Sequence, residues 1–385
     1  MQNVSIIGLG QTPTGEHWET SLRHLSLQAI EAALQDAGIA SETLDALVIG
    51  NALSGAISDQ HHIGALVADF AGLRGIEAFR VEGADASGAL ALRQGALMVA
   101  SGAAQTVLVL GVEKVTDIVG SQRTAALSTF LDSEYEAAQG ATPVALMAML
   151  MRRYMSQYGV NVADFANFSV NAHANGSKNP NAMYRNLIKA DRFAAAPLVA
   201  EPINLFDVAP EADGAAAVIL TTSERAADLV PQPIRLLASA VGTDALAVHD
   251  RVNPLFLSAV QQAVTKALRA AELSQSEIDV LELHDSATIM TTLALEASGF
   301  AAVGEGWRFA AENKIGLTGE LPISTFGGLK ARGNALGATG IYQVVEVALQ
   351  LRGTAGANQV PEARVGMTQT LGGLGGTAVV HVRSA

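Results

Sequence analysis

The sequence predicts an α/β protein built from two duplicated halves, and three observations carry that prediction. Short apolar segments ending in glycine alternate with a segment of helical period. Val4–Gly10 (VSIIGLG) and Leu44–Gly50 (LDALVIG) read as buried strands, and between them His24–Gly38 sets Leu27, Ile30, Ala33, Leu34 and Ala37 at helical spacing before a terminal glycine. The same plan then returns: Leu34–Leu47 matches Leu268–Leu281 at a constant offset of 234, with Asp45 falling on Asp279, Ser5 on Ser239 and Gly8 on Gly242. Finally, Leu229-Val230-Pro231-Gln232-Pro233 places two prolines between the copies, a stiff linker that divides the chain into residues 1–230 and 231–385.

At 385 residues each half is long enough to bury its own core, and 49% hydrophobic against 16% charged residues describes a compact, not a disordered, chain. A net charge of −13 argues against a nucleic-acid surface, which requires basic patches. The absence of cysteine excludes disulfides, thiolate metal sites and thiol nucleophiles together, and no metal site is expected. Gly8 and Gly10 lack the third spaced glycine of a dinucleotide fingerprint. Met1–Ser5 enters a strand without a basic-then-apolar leader, and no uncharged run approaches the roughly 20 residues of a membrane span. The expectation is a soluble, cytoplasmic protein with no membrane span.

The chain is organised around Val81–Gly102 (VEGADASGALALRQGALMVASG). A turn, Gly83-Ala84-Asp85-Ala86-Ser87-Gly88, feeds a helix apolar on nearly every face, which belongs inside the protein. The apolar strand Thr106–Gly111 (TVLVLG) follows. Farther on, Asp213-Gly214-Ala215-Ala216-Ala217 opens another strand, and Leu281–Thr288 (LELHDSAT) ends a buried strand in His284 and Asp285. Phe326–Gly340 (FGGLKARGNALGATG) is a glycine-rich loop leading into the helix Ile341–Leu351, and Thr368–Gly376 (TQTLGGLGG) is a second.

These stretches together resemble the thiolase superfamily over essentially the whole chain, nearest the sterol-carrier-protein-type and archaeal thiolases (acetyl-CoA acetyltransferases). The resemblance implies two α/β halves in a layered α-β-α-β-α arrangement plus a loop domain, here about residues 116–202, that covers the active site and touches the CoA part of the substrate. It implies acyl-CoA chemistry of the acyltransferase family, lipid metabolism, and coenzyme A as part of the substrate with no separate cofactor. In the family a cysteine opens the buried helix; here Asp85 stands in its place. The family's Gly-His-Pro becomes Gly333-Asn334-Ala335, and in the His-Asp box Ser286 stands where a cysteine can sit.

The candidate catalytic residues are therefore Asp85, His284, Asn334 and Ser286. Candidate CoA contacts are Gly333 and Gly337 of the glycine loop and the local cation cluster Lys178, Arg185, Lys189 and Arg192, which suits phosphates but also suits a solvated face. Val170–Asn186 reads as a loop, with His173 in a structural role, and the Met147–Met155 cluster as helical packing more than substrate contact.

Two classes of function are compatible with this set. In one, His284 and Asn334 donate to a thioester oxygen and Asp85 is a base, which suits retro-aldol cleavage of a β-hydroxyacyl-CoA. In the other, the protein is a degenerate homologue that lends a binding surface to an acyl-CoA complex, and Asp85 is only the N-cap of the buried helix. The resemblance implies a homodimer or tetramer paired through Thr106–Gly111, an apolar strand hazardous at an open edge, and a small OB-fold zinc protein as companion.

Overall fold

A computed structural model describes residues 3–385. Its strands are β1 (Val4–Gln11), β2 (Ala46–Gly50), β3 (Glu77–Val81), β4 (Thr106–Glu113), β5 (Leu198–Ala200), β6 (Ile203–Asn204), β7 (Gly214–Thr222), β8 (Ile234–Thr243), β9 (Val280–Leu283), β10 (Val365–Gly372) and β11 (Thr377–Ser384). Nine of them run in the order β3-β2-β4-β7-β1-β8-β11-β10-β9, while β5 and β6 pair separately. The seam is β1 against β8, which meet only through Ser5–Arg235 and Ile6–Ile234.

On either side of the seam the pattern is the same. β1 pairs antiparallel with β7, β7 antiparallel with β4, and β4 parallel with β2. β8 pairs antiparallel with β11, β11 antiparallel with β10, and β10 parallel with β9. The 234-residue offset reaches individual hydrogen bonds. Asp45 Oδ2 accepts from the amides of Gln105 and Thr106 at the start of β4, and Asp279 Oδ2 accepts from Arg364 and Val365 at the start of β10. Gly8 and Gly242 each let a helix backbone lie against the sheet.

The layers follow from which faces are apolar. Helix Leu22–Ala37 covers one side of the first half-sheet, ending at Gly38 in the left-handed conformation (φ 64°), and helix Ser258–Ala271 covers the second. Between the half-sheets lie Ser87–Ser101 and Thr339–Leu351, buried along most of their length as an all-round apolar sequence demands. This is the α-β-α-β-α arrangement. No helix among the described residues is long and apolar enough to cross a membrane.

Two expectations are corrected. Thr106–Gly111 is not at an edge: β4 lies between β2 and β7 and every residue of it is buried. A run apolar on both faces belongs inside a sheet; the open edge of the first half is β3, whose five residues are all partly or fully exposed. Val170–Asn186 is not all loop, because Ala166–Gly176 is helical. Its helical asparagines are held by tertiary bonds, Asn171 and Asn175 donating to the carbonyls of Ile323 and Ser324.

The two central helices begin against each other with almost no side chain between them. A methyl added at Gly340 would lie 2.5 Å from Ala89 N, and one at Gly88 would lie 2.7 Å from Gly337 O. Backbone cannot retreat as a flexible side chain can, so Gly88→Ala and Gly340→Ala should each cost about 2–3 kcal/mol in urea unfolding. Gly316→Ala, which meets nothing within 4 Å, should leave the midpoint unchanged. An unchanged midpoint for Gly88→Ala would show the junction to be slack.

Candidate active site

Asp85 sits at the tip of the turn before the helix Ser87–Ser101. Ser87 closes that turn with its side chain, accepting from the amide of Gly83 (3.0 Å) and donating to the carbonyl of Ala84 (2.6 Å), while Ala84 takes a positive φ of 54°. No side chain caps this helix. The reading of Asp85 as an N-cap is therefore corrected: its carboxylate turns away from the helix amides and into a cavity.

Asn334 reaches the same cavity from the other half. Its backbone is clamped, the amide donating to the carbonyl of Pro210 (2.8 Å) and the carbonyl accepting from the amide of Ala212 (2.9 Å). Its side-chain Oδ1 accepts from the Thr339 hydroxyl (2.7 Å) and the Leu336 amide (3.1 Å). With the oxygen committed twice, the NH2 must face the other way, and it donates to Asp85 Oδ1 at 3.3 Å. His284 enters from the end of β9, with Ser286 two residues on; the Ser286 carbonyl accepts from the amide of Ala209 (2.8 Å).

Asp85, His284, Ser286 and Asn334 all line one cavity of about 170 Å³. The segment between residues 116 and 202 roofs it with Thr124, Leu127, Phe130, Thr142, Val144 and Met147. A second cavity of about 610 Å³ shares the walls Val144, Val208, Ala209 and Glu211 with the first and opens outward past Tyr184, Leu187 and Arg192.

Burial sets the electrostatics. It pushes the Asp85 carboxyl up to about 6, against the opposing hydrogen bonds from Asn334, its own amide and that of Gly373. At neutral pH Asp85 is thus mostly ionised but holds its proton far more tightly than an exposed carboxylate. Burial, then the positive charge of Arg332, pushes His284 down to about 3, so the imidazole is neutral. His284 Nδ1 is buried without a partner among the described residues, leaving Nε2 as the nitrogen available to the cavity. Arg332 itself pairs with Glu346 at 3.1 Å, both fully buried, and lies over the ring of Tyr342. A neutral imidazole and an amide NH2 are two uncharged donors beside a base, an arrangement fit to hold a carbonyl oxygen while a proton moves.

Other predicted residues lie elsewhere. Gly333 and Gly337 line neither cavity; Gly333 packs at φ 113° against Ala212, and the Gly337 amide donates to Glu113 at 3.1 Å. Of the cation cluster, Arg192 lines the outer cavity, while Lys178, Arg185 and Lys189 are exposed and line neither. His173 lines the outer cavity and pairs through Nδ1 with the Asn186 carbonyl (3.1 Å). The methionine cluster divides, Met147 at the inner cavity, Met151 in the core and Met149 in solvent.

Sequence reasoning missed three participants. Glu113, pushed up to about 7 mainly by burial, gathers the amides of Ala52, Leu53 and Gly337 and the side chain of Asn51. Thr339 orients Asn334. Glu211 lines both cavities; its only signal in the sequence is a lone charge between Pro210 and the Asp213 run. Asp213 itself is a structural knot, its carboxyl held below the usual range despite burial by bonds from Thr116, Lys114 and the backbone.

Residues 4–224 match the family description "Thiolase, N-terminal domain", and residues 240–385 match "Thiolase C-terminal domain-like". The chain belongs to the thiolase superfamily. The acetyl-CoA acetyltransferase of Methanothermobacter thermautotrophicus is 43% identical to it across 100% of both chains. Sterol carrier protein 2 of Homo sapiens is 28% identical, over 99% of this chain and 71% of that protein. A solved structure titled "Ltp2-ChsH2(DUF35) aldolase" superposes with a TM-score of 0.86 at 25% identity, covering 100% of this chain and 98% of that one.

The raised carboxyl gives a prediction with a definite sign. The folded state keeps the Asp85 proton up to about pH 6, whereas the unfolded chain releases it near the ordinary aspartate value. Between those values the folded state binds more protons, so stability falls as pH rises through the window. Asp85→Asn should match the unmodified chain at pH 4 and exceed it above pH 7, by on the order of 2 kcal/mol in chemical unfolding. A helix cap would show no such divergence, since Asn and Asp cap equally well.

Proposed function

We propose that this protein binds an acyl-CoA thioester and cleaves a carbon–carbon bond by retro-aldol chemistry, with Asp85 as the base. The observation that carries the reading is one chamber in which a carboxyl with a pKa of about 6 faces an orientation-locked amide and a neutral imidazole. The chain contains no cysteine, so the acyl-cysteine route has no nucleophile. An aldolase among the similar structures supports the same direction.

Ionised Asp85 takes the proton of the substrate's β-hydroxyl. The Cα–Cβ bond breaks, its electron pair passes into the thioester as an enolate, and the β-carbon leaves as a carbonyl compound. His284 and Asn334 donate to the enolate oxygen; being neutral, they stabilise developing charge without surrendering a proton. Protonated Asp85 then returns its proton to Cα, giving the shortened acyl-CoA and restoring the base. Among the described residues the Ser286 hydroxyl meets only Met147 Sδ, at 4.0 Å, and it serves as a polar wall of the chamber. The outer cavity, with Arg192 on its rim, suits the pantetheine arm and a phosphate of CoA.

The reading includes a homodimer or tetramer joined through the open edge of β3, because an uncovered strand edge invites pairing. It also includes a small companion protein, supported by the DUF35 chain named with the similar aldolase. Sedimentation as a stable monomer at micromolar concentration would contradict the first point.

The test is turnover of a β-hydroxyacyl-CoA, read as aldehyde or ketone release. Asp85→Asn should lower kcat by roughly a hundredfold or more, the usual weight of a general base, with thioester affinity within a few-fold. In the unmodified protein kcat/KM should climb with pH and level off above about 6, as Asp85 ionises. Robust thiolysis of acetoacetyl-CoA by the unmodified chain would overturn the reading, since it demands a nucleophile this chamber lacks.

A further inference from the structure

We propose that Glu211 sets the charge class of the acyl group, excluding acyl chains that carry a free carboxylate and reserving the inner chamber for uncharged ones. This rests on the acyl-CoA reading above and adds the kind of acyl group it takes. Glu211 is the one charged side chain common to the walls of both cavities among the described residues, so a substrate passing from the outer to the inner cavity passes it. Its position is fixed by its neighbours: Pro210 and Ala212, one on each side, are hydrogen-bonded to the backbone of Asn334. Glu211 forms no ion pair among the described residues.

The distribution of charge along the path points the same way. The outer cavity has two cations on its wall, Arg192 and Lys330. Lys330 is already engaged, its ammonium donating to the Asp207 carbonyl and facing the carboxylates of Asp285 and Asp207. The inner cavity has no lysine or arginine among its described lining residues and two acidic ones, Glu211 and Asp85, whose charges are close enough to interact. Most of its remaining wall is apolar: Leu127, Phe130, Val144, Met147, Leu336 and Leu374.

A second carboxylate in this space would meet like charges with little water to screen them and no cation to pair with, whereas an uncharged chain meets a wall of its own polarity. The CoA phosphates stay outside, on the cationic side of Glu211. The chamber is thus built for a neutral acyl group of a few carbons, consistent with its volume of about 170 Å³.

Three CoA thioesters separate charge from shape. Butyryl-CoA ends in a methyl group, succinyl-CoA carries a carboxylate in its place, and succinamoyl-CoA carries the uncharged amide of the same outline. Their affinities are to be measured by calorimetry on the unmodified protein, Glu211→Gln and Glu211→Asp. The expected result is similar affinity for butyryl-CoA and succinamoyl-CoA, with succinyl-CoA weaker by about tenfold or more. Glu211→Gln should narrow the gap between succinyl-CoA and the amide by about threefold or more, the remainder being the repulsion from Asp85, with butyryl-CoA shifting less than succinyl-CoA, and Glu211→Asp should keep the full discrimination.

Equal binding of succinyl-CoA and succinamoyl-CoA to the unmodified protein would overturn the proposal while leaving the acyl-CoA reading intact. A gap between succinyl-CoA and succinamoyl-CoA that Glu211→Gln leaves unchanged would overturn it too, by placing the whole filter elsewhere. If none of the three thioesters binds, the acyl-CoA reading itself fails and the proposal falls with it.

Discussion

The hydrogen bond from Asn334 to Asp85 joins residues 249 positions apart and brings the two halves of the chain to one point. Its direction is imposed from behind, since the Thr339 hydroxyl and the Leu336 amide occupy the Asn334 oxygen and leave only N–H for the cavity. Thr339 begins the central helix Thr339–Leu351, which packs through glycine against the other central helix, the one that Asp85 precedes. Donor and base are therefore mounted on two helices locked backbone to backbone. This mounting lets a bond as long as 3.3 Å keep its orientation.

Around that point the fold holds buried carboxylates in contrasting ways. Asp213 is surrounded by donors and a lysine, and its charge is favoured despite burial. Glu113 collects backbone amides, yet burial still pushes it up to about 7. Asp85 has weaker support and a nearby Glu211, and it too is pushed up, to about 6. Asp213 and Glu113 tie loops together. Asp85 alone of the three lines the chamber, and a buried carboxylate with an incomplete set of donors is one that can gain and lose a proton. The neutral His284 completes the contrast, because burial first and the positive charge of Arg332 second disfavour a charged imidazole there.

The elements and the duplication were legible in the sequence because both depend on local pattern. VSIIGLG and TVLVLG are continuous apolar runs, and Asp45 and Asp279 keep one role at one offset. Spatial order was less accessible. Glu77–Val81 (EAFRV) is short and mixed, and only the strand order shows it to be the edge, while the apolar run of β4 is interior. Ala166–Gly176 carries asparagine and glycine that read as loop, and its helix depends on bonds to residues about 150 positions away. At the site, residue types could be aligned but not their orientation. Glu211 acts through position alone, and the choice between cap and chamber for Asp85 turned on where a carboxylate points.

The central claim is that Asp85 is a buried carboxyl titrating well above the ordinary range and held there by its chamber. The direct measurement is an infrared difference spectrum, unmodified protein minus Asp85→Asn, followed across pH. A protonated-carboxyl band present at pH 4 that disappears with a midpoint near 6 is the predicted result. A midpoint near the ordinary aspartate value of about 4 would place Asp85 in water and contradict the account.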